Sequence, residues 1–316
     1  MVILDRAEIE GLIDLSVAGT AIEQAYVAAS RGLVNLPPVG HITFPDVAAD
    51  CHIKYGHMHG DPHFVVKIAT GFPHNAEQGL PTGNGLSLVL SAQTGVVMAM
   101  LHDEMVLTDI RTGLGGAIAT RTLARADSTD MLIVGTGPQA LRQIESHLAW
   151  IGGHLTFKVW GRAAHKAEAI AQTMKDRCTI TAVTDLETAV RSADIIVTTT
   201  GATAPLIKAD WVAQGTHITA VGADAPGKQE LETQLVAQAD VLVADSGAQC
   251  LDHGEVSHAF ASATPVTAAL VELGHALSEE AQGRTDAQQI SIADLTGIAA
   301  QDIAIARVVL EAKGVA

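Results

Sequence analysis

Four short stretches place reactive side chains where an ordinary core or surface would not. The first is Phe64-Val65-Val66-Lys67-Ile68-Ala69, an apolar strand interrupted by a lysine. Such a lysine is either an edge charge or a buried cation that holds an anion. The second is Arg111-Thr112-Gly113, at the head of a run of small and apolar residues where a helix is expected to begin. Arg111 there is either solvated or a second anion-binding cation. The third is Ala220-Val221-Gly222-Ala223-Asp224-Ala225-Pro226-Gly227-Lys228, after an apolar strand. Asp224 is placed either for proton transfer or as a turn former before Pro-Gly. In the fourth, Met131–Val134 breaks into Gly135-Thr136-Gly137-Pro138-Gln139-Ala140, and apolar residues at helical spacing follow.

That last order of strand, glycine turn and helix opens a dinucleotide-binding unit. Gly135 allows the tight turn and Gly137 lets the backbone approach a pyrophosphate. Ala140 stands in for the third glycine. Pro138 and Gln139 start a helix whose free N–H groups and dipole favour phosphate. The next strand ends Val159-Trp160-Gly161-Arg162, without the acidic residue that accepts from a ribose 2′-OH. Arg162 either accommodates a 2′-phosphate, stacks on the adenine or faces solvent, so NAD(H) and NADP(H) both stay open. His57, His59 and His63 lack a further ligand at a recognised spacing, and no metal is expected.

These residues need scaffolds of two kinds. From Gly40 to Met100 the pattern is β-like, with candidates at His52–Tyr55, Phe64–Ala69, Leu86–Leu90 and Val96–Met100 and no helix between most of them. That favours an antiparallel or mixed block. A small strand at Val2–Leu4 and two helices precede it, capped at Asp5 and Ser16. A helix is expected from about Thr108 to Ala126. From Asp130 strands and helices alternate, the sign of a parallel sheet. Its strands are expected at Met131–Val134, Leu155–Trp160, Thr179–Val183, Ile195–Thr199, His217–Val221 and Val241–Ala244, with a short extra one at Ile290–Ala293. Helices are expected at Ala163–Met174 and Leu231–Ala237, and a last one from about Gln301 to Lys313. The fold class is therefore α/β: a Rossmann-type doubly wound parallel sheet plus an N-terminal α/β domain.

Composition narrows the partners. The chain has 316 residues, 48% of them apolar, and a formal charge of −16. It is long enough for two cores, and its charge argues against nucleic acid or an anionic membrane as a partner. Three scattered cysteines form no disulfide framework. The opening MVILDRAEIEGL carries early charges and no apolar core, so a cytoplasmic protein is the expectation.

Together Val66-Lys67, Asp109-Ile110-Arg111-Thr112-Gly113, Gly135–Gln139, Val221–Lys228, Asp294-Leu295-Thr296-Gly297 and Gln301-Asp302 resemble the ornithine cyclodeaminase/μ-crystallin family, in family order over nearly the whole chain. The resemblance implies a substrate and dimerisation domain at 1–127, completed by 298–316, a dinucleotide-binding domain at 128–297, and a homodimer. It implies that Lys67 and Arg111 hold a substrate α-carboxylate and that Asp224 handles the proton at the substrate nitrogen. Thr112, Thr199, Val221, Thr296 and Gly297 would lie near the cofactor.

Two positions depart from the family pattern. Val39, with His41 nearby, stands where many relatives have an arginine. Lys54 aligns where ornithine-using relatives have a glutamate that meets the distal amine. A lysine repels an ammonium and attracts a carboxylate, a sign reversal worth on the order of a few kcal/mol when desolvated. His52 shares a strand face with Lys54, so the two face the substrate together or not at all. The expected activity is NAD(P)H-dependent reduction of a small imino acid, with a second carboxylate held by Lys54 and His52. The alternatives are a cyclodeaminase-type lyase that releases ammonia, and a crystallin-like NAD(P)H-binding protein without catalysis.

Overall fold

A computed structural model describes residues 1–315. It divides into two compact units, Met1–Arg111 with the chain from Ile298 on, and Thr112–Gly297. The pattern change expected at 127/128 and this spatial division are different landmarks. The division falls inside the helix Val106–Leu123, whose later glycines belong to the second unit. A Cβ at Gly113 would collide with the Arg142 carbonyl oxygen and Ser146 Oγ, and one at Gly116 with the Gln143 side chain. Those glycines weaken the helix signal in sequence because they are needed for close packing against the helix Pro138–Trp150.

The first unit is a seven-stranded sheet. Its main order is Val2–Asp5, Val97–His102, Gly83–Ser91, His63–Gly71, Ala49–Met58 and Val34–Asn35, and Gly40–Phe44 also pairs with Ala49–Met58. All pairs are antiparallel except Val2–Asp5 with Val97–His102. Asp5 caps the first helix, Arg6–Leu12, with a capping box. The second helix, Leu15–Ser30, is capped by Asp14 rather than by the expected Ser16. Asp14 Oδ1 accepts from the N–H groups of Ser16 and Val17, which places Ser16 inside the helix. One sheet face buries Val65, Lys67, Ala69, Ser87, Val89, Ala99 and Leu101. The other presents Phe64, Val66, Ile68, Leu88 and Leu90, which stay half-buried.

The second unit carries an eight-stranded, wholly parallel sheet. The order is Thr179–Val183, Thr156–Trp160, Asp130–Val134, Ile195–Thr198, His217–Ala220, Ser291–Asp294, Val241–Ala244 and Leu270–Glu272. The expected "extra" strand near Ile290 is in fact interior to this sheet. Its four residues are all buried, which is why it reads as a short apolar run rather than an alternating one. Winding reverses between Asp130–Val134 and Ile195–Thr198, the switch point at which such sheets bind ligands. Leu231 closes a short strand, Gln229–Leu231, that pairs with Thr203–Ile207, so the helix expected from Leu231 starts only at Thr233. Among the described residues no helix is long and apolar enough to cross a membrane.

Candidate active site

In the first unit, pairing alone decides which side chains meet. Lys54 stands opposite Lys67 across an antiparallel pair, and Lys67 stands opposite Ser87. Directly opposed residues project from the same sheet face. His52 is two residues before Lys54 on that face, opposite Ala69 on one side and His41 on the other. Lys67 is not an edge charge: its strand is flanked on both sides and only 4% of the residue is exposed. Lys54 is buried as well.

The helix Ala299–Lys313 packs on these strands. Gly56 permits this, since a Cβ there would press on the Asn35 carbonyl oxygen and Ile303. The helix brings in Asp302, buried, whose Oδ1 accepts from Lys67 Nζ at 2.8 Å and lies 3.2 Å from Arg111 Nε. Gln301 Oε1 accepts from Arg111 Nη1 and Gln301 Nε2 donates to the Arg111 carbonyl. Arg111 itself lies in the second turn of Val106–Leu123, not at its start, and is buried rather than solvated. The turn before that helix holds Glu104 and Met105 at positive φ, and Asp103 Oδ2 accepts the Leu107 N–H.

Three cations, Lys54, Lys67 and Arg111, thus act on one carboxylate, Asp302. Burial raises the Asp302 pKa, but the three cations outweigh it and hold the carboxyl below its ordinary range. Burial pulls Lys67 down to about 7; Asp302 opposes this, while Arg111 and Lys54 add to it. Asp103 is close enough to feel Lys67, and burial pushes its carboxyl up. Burial also lowers the pKa of His52, with Asp50 opposing and Lys54 and His41 adding to the fall.

Metal ligands would have to come from a different set of histidines than the sequence suggested. His57 lies on the strand Ala49–Met58 and bonds the Asp61 carbonyl oxygen, and His63 Nδ1 is 3.8 Å from Asp61 Oδ1. His41, Asp50 and His52 instead bring one ligand atom each within 4.8 Å of one another. Two imidazoles and one carboxylate are one short of a closed zinc set. Lys54, on the same face, opposes a further cation and favours an anion.

In the second unit the glycine turn leaves open space at a helix N-terminus. Gly135 has φ +134°, and a Cβ there would strike Thr199 Oγ1. Gly137 is the N-cap of Pro138–Trp150, with Pro138 and Gln139 in its first turn, and a Cβ at Gly137 would meet nothing within 4 Å. Open space beside a helix N-terminus suits a pyrophosphate. Arg162 is exposed after the strand Thr156–Trp160. The Thr112 carbonyl accepts from Gln143 Nε2. Thr296 and Gly297, at φ +81°, are tied to the buried Asp245, which accepts from Thr296 Oγ1 and the Gly297 N–H. Val221 follows the strand His217–Ala220, and its N–H bonds the Thr198 carbonyl. Asp224 is exposed between the buried Ala223 and Ala225, and its Oδ1 accepts from Lys228 Nζ at 2.5 Å.

Asp302, Gln301 and Glu230 were not picked out as site residues from the sequence. Asp302 had a usable signal, a carboxylate directly before the apolar run Ile303-Ala304-Ile305-Ala306 at the helix start, the counterpart of Lys67 in its strand. Glu230, in Lys228-Gln229-Glu230-Leu231-Glu232, reads as surface and had none.

Residues 1–314 match the ornithine cyclodeaminase/mu-crystallin family. The chain belongs to that family. It is 39% identical to an uncharacterised cyclodeaminase of Sinorhizobium fredii over 97% of this chain and 94% of that one. An archaeal alanine dehydrogenase dimer with bound NAD superposes with a TM-score of 0.90 at 32% identity, covering 99% and 95% of the two chains. The iminosuccinate reductase of Paracoccus denitrificans in complex with NAD+ superposes with a TM-score of 0.88 at 28% identity, covering 100% and 98%.

Proposed function

We propose that this chain is an NAD(H)-dependent oxidoreductase that reduces a small imino acid carrying a second carboxylate, with iminosuccinate, the precursor of aspartate, as the leading substrate. The observation that carries this reading is the convergence of three buried cations, Lys54, Lys67 and Arg111, on Asp302. Buried charge of one sign is costly unless a counter-ion arrives. In a chain of formal charge −16 it is a specific anion site rather than a general basic surface. A substrate with two carboxylates offers one to Lys67 and Arg111 and the other to Lys54.

Lys67 and Arg111 bind the α-carboxylate, Arg111 as a fork aligned by Gln301. Lys54, with His52 beside it, takes the distal carboxylate. The bound nicotinamide supplies a hydride to the imine carbon. Asp224 supplies or stabilises the iminium proton, so that with the hydride of a bound nicotinamide the C=N bond would become CH–NH and one NADH would be oxidised per imine. Similarity to the NAD-bound alanine dehydrogenase and iminosuccinate reductase supports the cofactor. Arg162 keeps NADP(H) as the second cofactor to test. We further propose that a second copy of the chain covers the half-buried face of Phe64, Val66, Ile68, Leu88 and Leu90.

The test is oxidation of NADH by the purified protein with oxaloacetate plus ammonia, which form iminosuccinate, beside pyruvate plus ammonia, a cyclic imino acid without a second carboxylate, and ornithine. Fastest turnover with iminosuccinate is expected. Ammonia release from ornithine with no net change in NADH, and no turnover of the dicarboxylic imine, would replace the reductase reading with the cyclodeaminase one that the Sinorhizobium relative represents.

A further inference from the structure

The second unit buries a carboxylate for which neither the glycine turn nor the proposed proton transfer accounts. Glu230 is fully buried, on the short strand Gln229–Leu231. Its Oε1 accepts the Thr200 N–H at 2.6 Å. Its Oε2 accepts Thr198 Oγ1 at 2.7 Å and the Gly222 N–H at 2.9 Å. The two sides belong to different loops. Thr198–Thr200 leaves the strand Ile195–Thr198, and Gly222 leaves its neighbour His217–Ala220. Both loops lie at the carboxyl ends of adjacent parallel strands, where sheets of this kind hold their ligands.

Each loop carries a residue with a proposed role. Thr199 sits between two residues that Glu230 holds, and Asp224 is two residues beyond Gly222. Ala223 and Ala225 are buried, which leaves Asp224 facing outward from a pinned backbone. The fit leaves no space at Gly222, where a Cβ would collide with the Thr200 carbonyl oxygen and the Glu230 carboxylate. Glu230 is itself held: Glu255 Oε1 accepts the Glu230 N–H at 2.6 Å, and Glu255 Oε2 accepts the Leu231 N–H at 3.1 Å. Val256, next to Glu255, donates its N–H to the buried Asp294.

We propose that Glu230 is a positioning residue: its carboxylate bridges the Thr198–Thr200 turn to Gly222 and thereby fixes Thr199 and Asp224 for the reaction. The chemistry needs an acceptor on both sides. All three groups pointing at Glu230 can donate, and the two backbone N–H groups can do nothing else. A glutamine in its place turns an N–H₂ toward one of those N–H groups and opens the bridge on one side while keeping the volume.

The inference rests on the reductase reading for its kinetic arm, and its second readout does not. In the full-length protein with NADH, Glu230→Gln is expected to lower kcat by about tenfold to a hundredfold, the cost of misplacing a reacting group by about an ångström. The Kd for NADH should stay within about threefold, because the phosphate cradle at Gly135–Gln139 is untouched. Hydrogen exchange should quicken in residues 198–203 and 221–227 and stay unchanged in 131–150. Thr198→Val keeps both backbone donors to Glu230 and should cost only about threefold in kcat. Unchanged kcat and unchanged exchange in Glu230→Gln overturn the proposal. So does faster exchange spread evenly over Thr112–Gly297, the mark of a carboxylate that only stabilises the fold. If the wild-type protein reduces no imine, the functional reading fails and the exchange pattern still decides the role of Glu230.

Discussion

The two sheets bury opposite kinds of group, cations in one and carboxyl groups in the other, and they satisfy them differently. In the N-terminal unit Lys54, Lys67 and Arg111 face mainly one carboxylate, Asp302. In the second unit Glu230, Asp245, Glu255 and Asp294 are buried, and each accepts from a backbone N–H: Thr200 and Gly222, Gly297, Glu230 and Leu231, and Val256 respectively. Backbone donors are permanent, so these carboxylates are satisfied whether or not a ligand is present. The cations are grouped instead around the Asp302 side chain, an arrangement that suits the substrate carboxylates proposed for this site. Buried carboxyl groups in this chain tie backbone together, and the buried cations are the proposed binding site.

The largest effect that would break this contrast is at Lys67. Lys67→Met should lower kcat/KM for the imino acid by about 10²–10³-fold, the range for breaking a buried charge pair, and leave NADH affinity nearly unchanged. Steady-state kinetics with cofactor titration checks it, and a change below threefold would remove Lys67 from the site.

The pH dependence sharpens the same point. With Lys67 near 7, the free enzyme loses its ammonium as pH rises through neutrality. KM for a carboxylate substrate should therefore increase above about pH 7 and stay level below it. Lys67→Arg, which keeps its charge at all accessible pH, should flatten the profile. The stability term has its own sign. An unfolded lysine stays protonated to about pH 10.4, so between about 7 and 10 the unfolded state holds more protons and this group makes stability rise with pH.

The smallest effect belongs to the scaffold. Burial raises Asp294 to about 7. Its unfolded counterpart ionises near pH 3.9, so the folded state holds the extra proton between about 4 and 7, and stability from this group falls as pH rises through that window. Asp294→Asn should flatten the fall, seen as a difference of roughly 2–4 °C in thermal midpoint between pH 5 and 7. An unchanged pH profile would mean that Asp294 is ionised in the fold throughout.

The contrast also explains what the sequence made legible. A glycine turn, an alternating strand–helix pattern and a lysine inside FVVKIA are local signals, and they sufficed for the parallel sheet and for the turn at Gly135–Gln139 and marked Lys67 as a candidate. What decides between competing roles is pairing over distance. Lys67 is interior because both neighbouring strands flank it, and Lys54 faces the same way because their register puts the two opposite each other. Neither fact is in either strand's own residues. Asp302 meets Lys67 across a separation of 235 positions. Glu230 looks like surface, and only the return of two loops to it makes it a bridge. The strand Ser291–Asp294 was read as a short addition because nothing in a four-residue apolar run reveals that it enters the middle of a sheet.

The central claim is that the cations around Asp302 are matched to two carboxylates, and Lys54 carries the second. The most direct test is the ratio of kcat/KM for iminosuccinate to that for the imine of pyruvate, in the wild type and in Lys54→Glu. The account predicts a wild-type ratio well above one that falls by about a hundredfold or more in Lys54→Glu, in line with a reversed interaction of a few kcal/mol, with NADH affinity unaltered. A ratio that is the same in both proteins would contradict it.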